Sequence, residues 1–418
     1  MKKIIIINIK EIIQTERTER VSVRSGAAMS LLDNIRDGYV VINGELIEEF
    51  GEMSNLTEDL TIGAKIIDAA GRMVLPAFCD SHTHLVYAGS REMEYIDKIR
   101  GLSYQEIAAR GGGILNSAQL LHNASEKDLL NQSMERAREI IRFGTGAVEI
   151  KSGYGLTVED EVKMLRVARE IGSITPLTVK TTFLGAHAVP LRYRGRREEY
   201  VDEIITEMIP AVASENLADY IDVFTEEGFF SVADTERIFE AGAKYGLRPK
   251  VHANQMSFSG GVQVGVNYNA ISVDHLEFTA EKEFAALRGT GTIATVLPGS
   301  TFFLEMNYAP VREMINFGLP VAIATNYNPG SSPSGDMKFM MALATLKMKM
   351  TPYEVINAST INGAFAMGIS DTHGTIAVGK VANLIVTNPI PSIEYIPYAI
   401  STPLVERMFL KGTEIDVR

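Results

Sequence analysis

The sequence predicts an α/β protein. Residues 73–372 are expected to form a (β/α)8 TIM-type barrel, and residues 1–72 with 373–418 a small composite β-sandwich domain. Three observations carry this. β-Branched runs and tight-turn dipeptides crowd both chain ends. Between them, apolar stretches of strand length alternate eight times with amphipathic stretches over about 250 residues, the usual size of such a barrel. Five of the seven histidines lie at or just past the ends of predicted strands, the face where these barrels keep their active sites.

The first element is a strand within residues 3–13, built on Ile4-Ile5-Ile6-Ile7. Branching at Cβ suits a pleated strand better than a helix. This opening is not read as a secretory leader. Its apolar core is short, Asn8 and Lys10 interrupt it, and no small-residue cleavage site follows. Residues 39–42 and 45–50 flank Asn43-Gly44, a hairpin signal because such residues accept positive φ. Strands at 65–68 and 72–75 follow. The same texture returns near the end, with a strand at 382–387 and a hairpin of 407–410 and 413–417 about Lys411-Gly412. Neither end holds enough strands to be stable alone, so the two are expected to pair.

Predicted barrel strands occupy 73–78, 147–151, 177–184, 220–224, 249–252, 270–274, 292–297 and 321–325. Predicted helices occupy 126–143, 158–172, 198–213, 231–245, 280–287, 309–317 and 351–357. Pro352 suits a first helical turn, where its missing N–H costs nothing. An open doubly wound sheet is the alternative. Eight units and the return of β texture favour the barrel.

Bulk properties narrow the function. The formal charge of −12 argues against a nucleic-acid surface, which needs a basic face. No apolar stretch is long enough to span a bilayer. A lone cysteine, Cys79, rules out an internal disulfide and reads as a small buried hydrophobe. A cytoplasmic protein is expected, without nucleic acid or membrane as partner.

The chemistry begins at Cys79-Asp80-Ser81-His82-Thr83-His84. Alternate residues of a strand share a face, so His82 and His84 can converge on one point. Converging neutral imidazoles are good ligands for Zn²⁺ or Fe²⁺. His187, His252 and His275 fall at the ends of later predicted strands, as do Tyr154, Asn326 and Asn328. At least three of the five histidines are expected to share a metal. His122 and His373 sit in polar contexts and read as surface residues.

Six segments, in order, resemble the amidohydrolase superfamily over essentially the whole chain. They are Leu75-Pro76-Ala77-Phe78-Cys79-Asp80-Ser81-His82-Thr83-His84, Arg110-Gly111-Gly112-Gly113-Ile114, Glu149-Ile150-Lys151-Ser152-Gly153-Tyr154-Gly155, Phe183-Leu184-Gly185-Ala186-His187, Ser272-Val273-Asp274-His275-Leu276-Glu277 and Asn328-Pro329-Gly330-Ser331-Ser332. Any one is weak, but the set at strand ends is specific. The resemblance implies a split β domain flanking a metal-bearing barrel. Within the superfamily it is closest to a branch that hydrolyses a cyclic amide C–N bond, opening 4-imidazolone-5-propanoate to N-formimidoyl-L-glutamate in histidine degradation. It implies one divalent or trivalent metal ion, zinc or iron, on His82, His84 and His252. Such an ion would acidify a water and polarise the carbonyl.

The resemblance also implies that His275 moves a proton and that Arg91 holds the substrate propanoate, for which a guanidinium fork is the matching shape. Tyr154 and His187 would contact the ring, and Asn328, Gly330 and Ser331 would bind substrate or product. A lysine bridging two metals, Lys151 or Lys180, occurs in other branches; here a single metal is implied. Residues 110–113 read as a mobile lid, since neither a preceding strand nor a following Gly-Lys-Ser makes them a phosphate cradle. A homodimer is expected.

Two positions depart from the branch pattern. Thr325-Asn326-Tyr327-Asn328-Pro329-Gly330 has Asn326 where an aspartate normally ligates metal. Its neutral amide oxygen is a weak ligand and cannot take a proton. Gln255 of His252-Ala253-Asn254-Gln255 stands where glutamate is common. It can hydrogen-bond the substrate in the catalytic site but cannot shuttle a proton. Three readings follow: a working enzyme with His275 alone moving protons, an inactive or engineered form that still binds metal, or a relative acting on another cyclic amide or amidine. A deaminase is a further alternative, disfavoured because a neutral base needs no carboxylate clamp.

Overall fold

The computed structural model describes residues 3–102, 106 and 112–417. Its centre is a parallel sheet of eight strands in sequential order: Phe78–Thr83, Thr145–Lys151, Thr178–Ala186, Tyr220–Thr225, Arg248–Ala253, Ser272–His275, Ile293–Val296 and Val321–Ile323. The last strand returns to the first. Asn326 N–H donates to the His82 carbonyl at 2.9 Å, His84 N–H donates to the Tyr327 carbonyl at 2.9 Å, and Thr83 bridges Tyr327 in parallel. At the same seam the buried Asp80 carboxylate accepts from Thr325 N–H (3.0 Å) and Oγ1 (2.6 Å). The barrel is thereby nearly closed, and residues 82, 84 and 326 meet at one seam.

The chain ends form one mixed eight-stranded sheet. Its path runs Thr413–Ile415, Val405–Leu410, Leu384–Thr387, Met73–Pro76, Ile4–Ile12, Ile35–Asn43, Leu46–Glu52, with Lys65–Asp68 also on Ile4–Ile12. The two ends do pair, as expected. The terminal hairpin turns on Lys411 (φ +46°) and Gly412 (φ +71°). In the first hairpin Asn43 pairs Leu46, so the loop is Gly44-Glu45 with Gly44 at φ +61°, one residue past the expected turn.

The predicted first barrel strand, 73–78, is two strands. Met73–Pro76 pairs with Ile4–Ile12 and Leu384–Thr387 in the terminal sheet. After Ala77 the chain enters the barrel as Phe78–Thr83. Every residue from 73 to 88 is buried, so the apolar run carries no mark of the change of sheet.

The outer helices start where capping chemistry places them. Ser125 accepts from Asp128 N–H ahead of Glu126–Arg142, and Thr157 from Asp160 N–H ahead of Val158–Ile174. Ser231/Asp234 and Thr351/Glu354 form reciprocal capping boxes. The expected helix at 198–213 is interrupted by a π turn, Ile204–Met208. Pro210 cannot donate within the helix, which fits a break one turn before it.

Candidate active site

Five imidazoles meet at the C-terminal mouth of the barrel. Ring centroids lie 4.5 Å apart for His82 and His252, 5.4 Å for His82 and His84, 5.3 Å for His252 and His275, and 5.0 Å for His84 and His187, whose rings stack. One nitrogen from each of His82, His84 and His252 falls within 4.8 Å of the others, and all three residues are buried. His82 Nε2, His252 Nε2 and Asn326 Oδ1 are buried without a hydrogen-bond partner among the described residues. A buried polar atom left this way costs about 1–3 kcal/mol, so several at one point call for a shared ligand. Imidazole nitrogens with an amide oxygen are a donor set suited to zinc or iron. The residues present fit a cation.

Their orientation is set from behind. His82 Nδ1 lies 2.6 Å from Asp274 Oδ2, and His252 Nδ1 lies 2.9 Å from Asp222 Oδ2. An imidazole that donates Nδ1–H to a carboxylate presents its Nε2 lone pair forward. Burial, then the neighbouring positive charges of Lys151 and the other histidines, holds His82 well below the ordinary imidazole range. Burial with His187 and His252 nearby does the same for His84. Burial also lowers His252, though Asp222 opposes the shift. All three shifts favour the neutral, ligating form of the ring.

Beneath the rings lies a buried charge network that sequence reading missed. Lys151 Nζ is 2.7 Å from Glu149, 2.8 Å from Asp222 and 3.6 Å from Asp274. Lys250 Nζ reaches Glu149 and donates to the Ala366 carbonyl at 3.0 Å. Burial alone would lower the Lys151 ammonium, but Asp222, Glu149 and Asp274 outweigh it and raise it above its ordinary value. The available signal was period two. Glu149 with Lys151, Lys250 with His252, and Ser272 with Asp274 each share a strand face, which marks that face as the polar inside of the barrel.

Above the rings opens a cavity of about 460 Å³. Of the predicted site residues, His84, Arg91, Tyr154, His187, His252, Gln255, His275, Asn326, Asn328, Gly330 and Ser331 all line it, and His82 lies beneath. Arg91 precedes the helix Glu92–Ile99, and its Nε and Nη2 lie 2.8 and 2.7 Å from Glu94 Oε2. Its guanidinium rests on Gly330: a Cβ there would fall 2.0 Å from Nη1. His187 donates Nδ1–H to the Gly153 carbonyl at 3.0 Å. Burial, with the charge of His252 adding to it, pushes this imidazole down to about 3. Asn328 spends its amide inside its own loop, accepting from Gly330 and Ser331 N–H (both 2.8 Å) and donating to Ser331 Oγ (2.9 Å).

Backbone strain gathers here too. His275 (φ +87°) and Leu276 (φ +71°) are consecutive non-glycine residues in the left-handed region, at the end of the sixth barrel strand. Such conformations cost about 1–3 kcal/mol each and persist where surrounding structure enforces them.

The mouth of this barrel can be compared with known proteins. The Amidohydrolase family matches residues 266–413. A Flavobacterium johnsoniae protein named imidazolonepropionase is 54% identical over 405 residues, covering 97% of this chain and 98% of its own. One of that name from Symbiobacterium thermophilum is 42% identical, covering 95% and 92%. This chain belongs to the imidazolonepropionase family. Among solved structures, an E. coli guanine deaminase superimposes with TM-score 0.77 at 14% identity over 100% of both chains. A triazine hydrolase variant gives 0.73 at 16%, covering 99% of this chain and 94% of its own. At those identities the likeness is one of fold. Like other imidazolonepropionase family members, the chain is a hydrolase, and its fold is the barrel with a terminal sheet.

Two sequence readings fare differently. His122 is exposed, as expected, beside Asp160 at 2.7 Å. His373 is not a surface residue. It is buried, with Nε2 3.0 Å from Thr178 Oγ1 and Nδ1 2.8 Å from Thr372 Oγ1, because the third barrel strand covers its loop. Arg110 and Gly111 of the expected lid lie outside the described residues.

Proposed function

We propose that this chain opens 4-imidazolone-5-propanoate with water to give N-formimidoyl-L-glutamate, a step of histidine degradation, using one zinc or iron ion. The observation that carries the reading is a guanidinium and an imidazole cluster in a single cavity. Arg91, seated on Gly330 and held by Glu94, is the group for a propanoate, and the imidazoles are the group for the ring and its hydrolysis. A neutral nucleobase offers no carboxylate to that guanidinium, which counts against a deaminase.

His82, His84 and His252, with Asn326 Oδ1, would hold the cation. When bound, it acidifies a water and polarises the ring carbonyl. The chain's own residues do the rest. Arg91 anchors the propanoate and fixes which carbonyl faces the histidines. His187, with Nδ1–H committed to Gly153, offers Nε2 to the ring, and Tyr154 packs beside it at 5.4 Å between centroids. His275 takes a proton from the attacking water and returns it to the ring nitrogen as the C–N bond breaks. Gln255 and Asn326 are neutral amides, so no proton passes through them. Asn328 shapes the loop that presents Gly330 and Ser331.

A single metal is favoured because Lys151 is committed to Glu149 and Asp222 at 2.7 and 2.8 Å and Lys180 to Asp219 at 3.0 Å, so both lysines are engaged in ion pairs rather than turned to the histidine cluster. The charge of −12 counts against a nucleic-acid surface, and no helix among the described residues is long and apolar enough to cross a membrane. A cytoplasmic homodimer is the accompanying proposal.

Asn326 favours a second reading, a slow or inactive form that keeps the pocket. Metal analysis paired with a ring-opening assay separates the two. Stoichiometric zinc or iron with N-formimidoyl-L-glutamate release supports the enzyme. Substrate binding without that product supports the inactive form, and neither metal nor binding overturns both.

A further inference from the structure

The two missing carboxylates leave the proton-moving imidazole without an acid partner at either expected position, yet one buried carboxylate does face it. Glu277 lies two residues beyond His275, with its side chain 1% exposed. Its Oε1 accepts from Thr301 Oγ1 at 2.8 Å. Its Oε2 has no partner among the described residues, and neither does His275 Nδ1. These two buried atoms face each other at 3.8 Å. That is longer than a hydrogen bond, and a sub-ångström closure would make it one. Catalytic hydrogen bonds are commonly long in the free enzyme and tighten when substrate binds.

The backbone holds the pair in place. Leu276 N–H donates to the Ala253 carbonyl (3.1 Å), Phe278 N–H to the Asn254 carbonyl (2.8 Å), and Asn254 Nδ2 to the Phe278 carbonyl (2.8 Å). The left-handed conformations of His275 and Leu276 form the turn that puts both side chains inside. Strain kept at a strand end beside two orphaned polar atoms marks a geometry under use.

We propose that Glu277 is the positioning carboxylate of His275. It accepts the Nδ1–H of the imidazole and fixes the tautomer whose Nε2 lone pair faces the cavity. When Nε2 takes the proton of the attacking water, the carboxylate steadies the imidazolium until that proton passes to the leaving nitrogen. Glu277 itself neither gains nor loses a proton. This rests on the hydrolytic role given to His275 above.

The test is Glu277→Gln in zinc-loaded protein, with Glu277→Asp and Thr301→Val beside it. A glutamine has one oxygen for two donors, Thr301 Oγ1–H and His275 Nδ1–H. Its amide facing Nδ1 selects the opposite tautomer. The expected kcat loss is about 100-fold or more, with KM and zinc content held within about threefold. Glu277→Asp should recover part of the loss, and Thr301→Val should cost less than Glu277→Gln. ¹⁵N-histidine NMR, assigned with His275→Asn, should show Nδ1–H in the unsubstituted protein and Nε2–H in Glu277→Gln. A Glu277→Gln kcat within threefold of the parent, or an Nε2–H tautomer in the parent, overturns the proposal. Absent turnover in the parent with the Nδ1–H signature intact sinks the hydrolytic reading and leaves the pairing standing.

Discussion

Gly330→Ala tests the carboxylate clamp with one methyl group. The added Cβ would stand 2.0 Å from Arg91 Nη1 and 2.4 Å from Cζ, where ordinary contact begins at 3.4 Å. The guanidinium must therefore retreat by about 1.4 Å, enough to carry a normal hydrogen bond past its limit. Gly330 is not in the left-handed region and the colliding atoms end a flexible side chain, so the fold should absorb the change. The melting temperature is expected to stay within about 2 °C. The loss falls on binding. One or two charge-assisted bonds to the propanoate weaken, at about 1.5–3 kcal/mol each, for a total of about 2–4 kcal/mol. That predicts kcat/KM for ring opening lower by about 30- to 1000-fold. An analogue with its propanoate capped as a neutral amide should be insensitive to the substitution. A kcat/KM within threefold of the parent, or an equal loss on the capped analogue, would refute the assignment of Arg91.

Three further outcomes are expected. Asn326→Asp restores an anionic donor beside the histidines and should raise kcat by about tenfold or more while slowing metal loss to a chelator; an unchanged rate would show that His275 needs no such help. Asp274→Asn weakens the support of His82 Nδ1 and should reduce zinc affinity by about 10- to 100-fold in a competition titration. His373 is held down to about 4, chiefly by burial and then by the charges of Lys380 and Lys411. The unfolded chain binds that proton first, so stability from this group is complete above about pH 6.5 and falls by up to about 3 kcal/mol as pH drops toward 4. His373→Asn should flatten that part of a denaturant-midpoint-against-pH profile.

The barrel was legible because its outer helices have one wet face and its strands have none, so striped stretches alternate with short continuous apolar runs along the chain. A helix that is dry all round loses its stripe. Met337–Met348 is a helix buried nearly all round, with Met337, Met340, Met341, Leu343, Ala344 and Met348 inside, and no stripe announces it. The same loss hid the passage from Pro76 to Phe78 between sheets. Site residues were found where they ended strands, since the closing of the barrel turns position along the chain into position around a mouth. Asp222 and Asp274 were not, and Lys151 was weighed only as a metal-bridging lysine, because partners on other strands become neighbours only once the sheet curls. His373 misled because Ser370-Asp371-Thr372-His373-Gly374 has the composition of a wet loop while the packing of the third strand dries it.

The pairing of Met73–Pro76 with Leu384–Thr387 has a consequence for biosynthesis. The segment bearing His82 and His84 is the direct continuation of a strand flanked on one side by residues synthesised some three hundred positions later. A nascent chain on the ribosome can complete most of the β/α units in turn, but it cannot finish anchoring the start of that segment until the downstream strand emerges. Full anchoring of the segment that bears His82 and His84 is thereby timed to the end of translation, and a chain cut short before residue 384 would lack this tether.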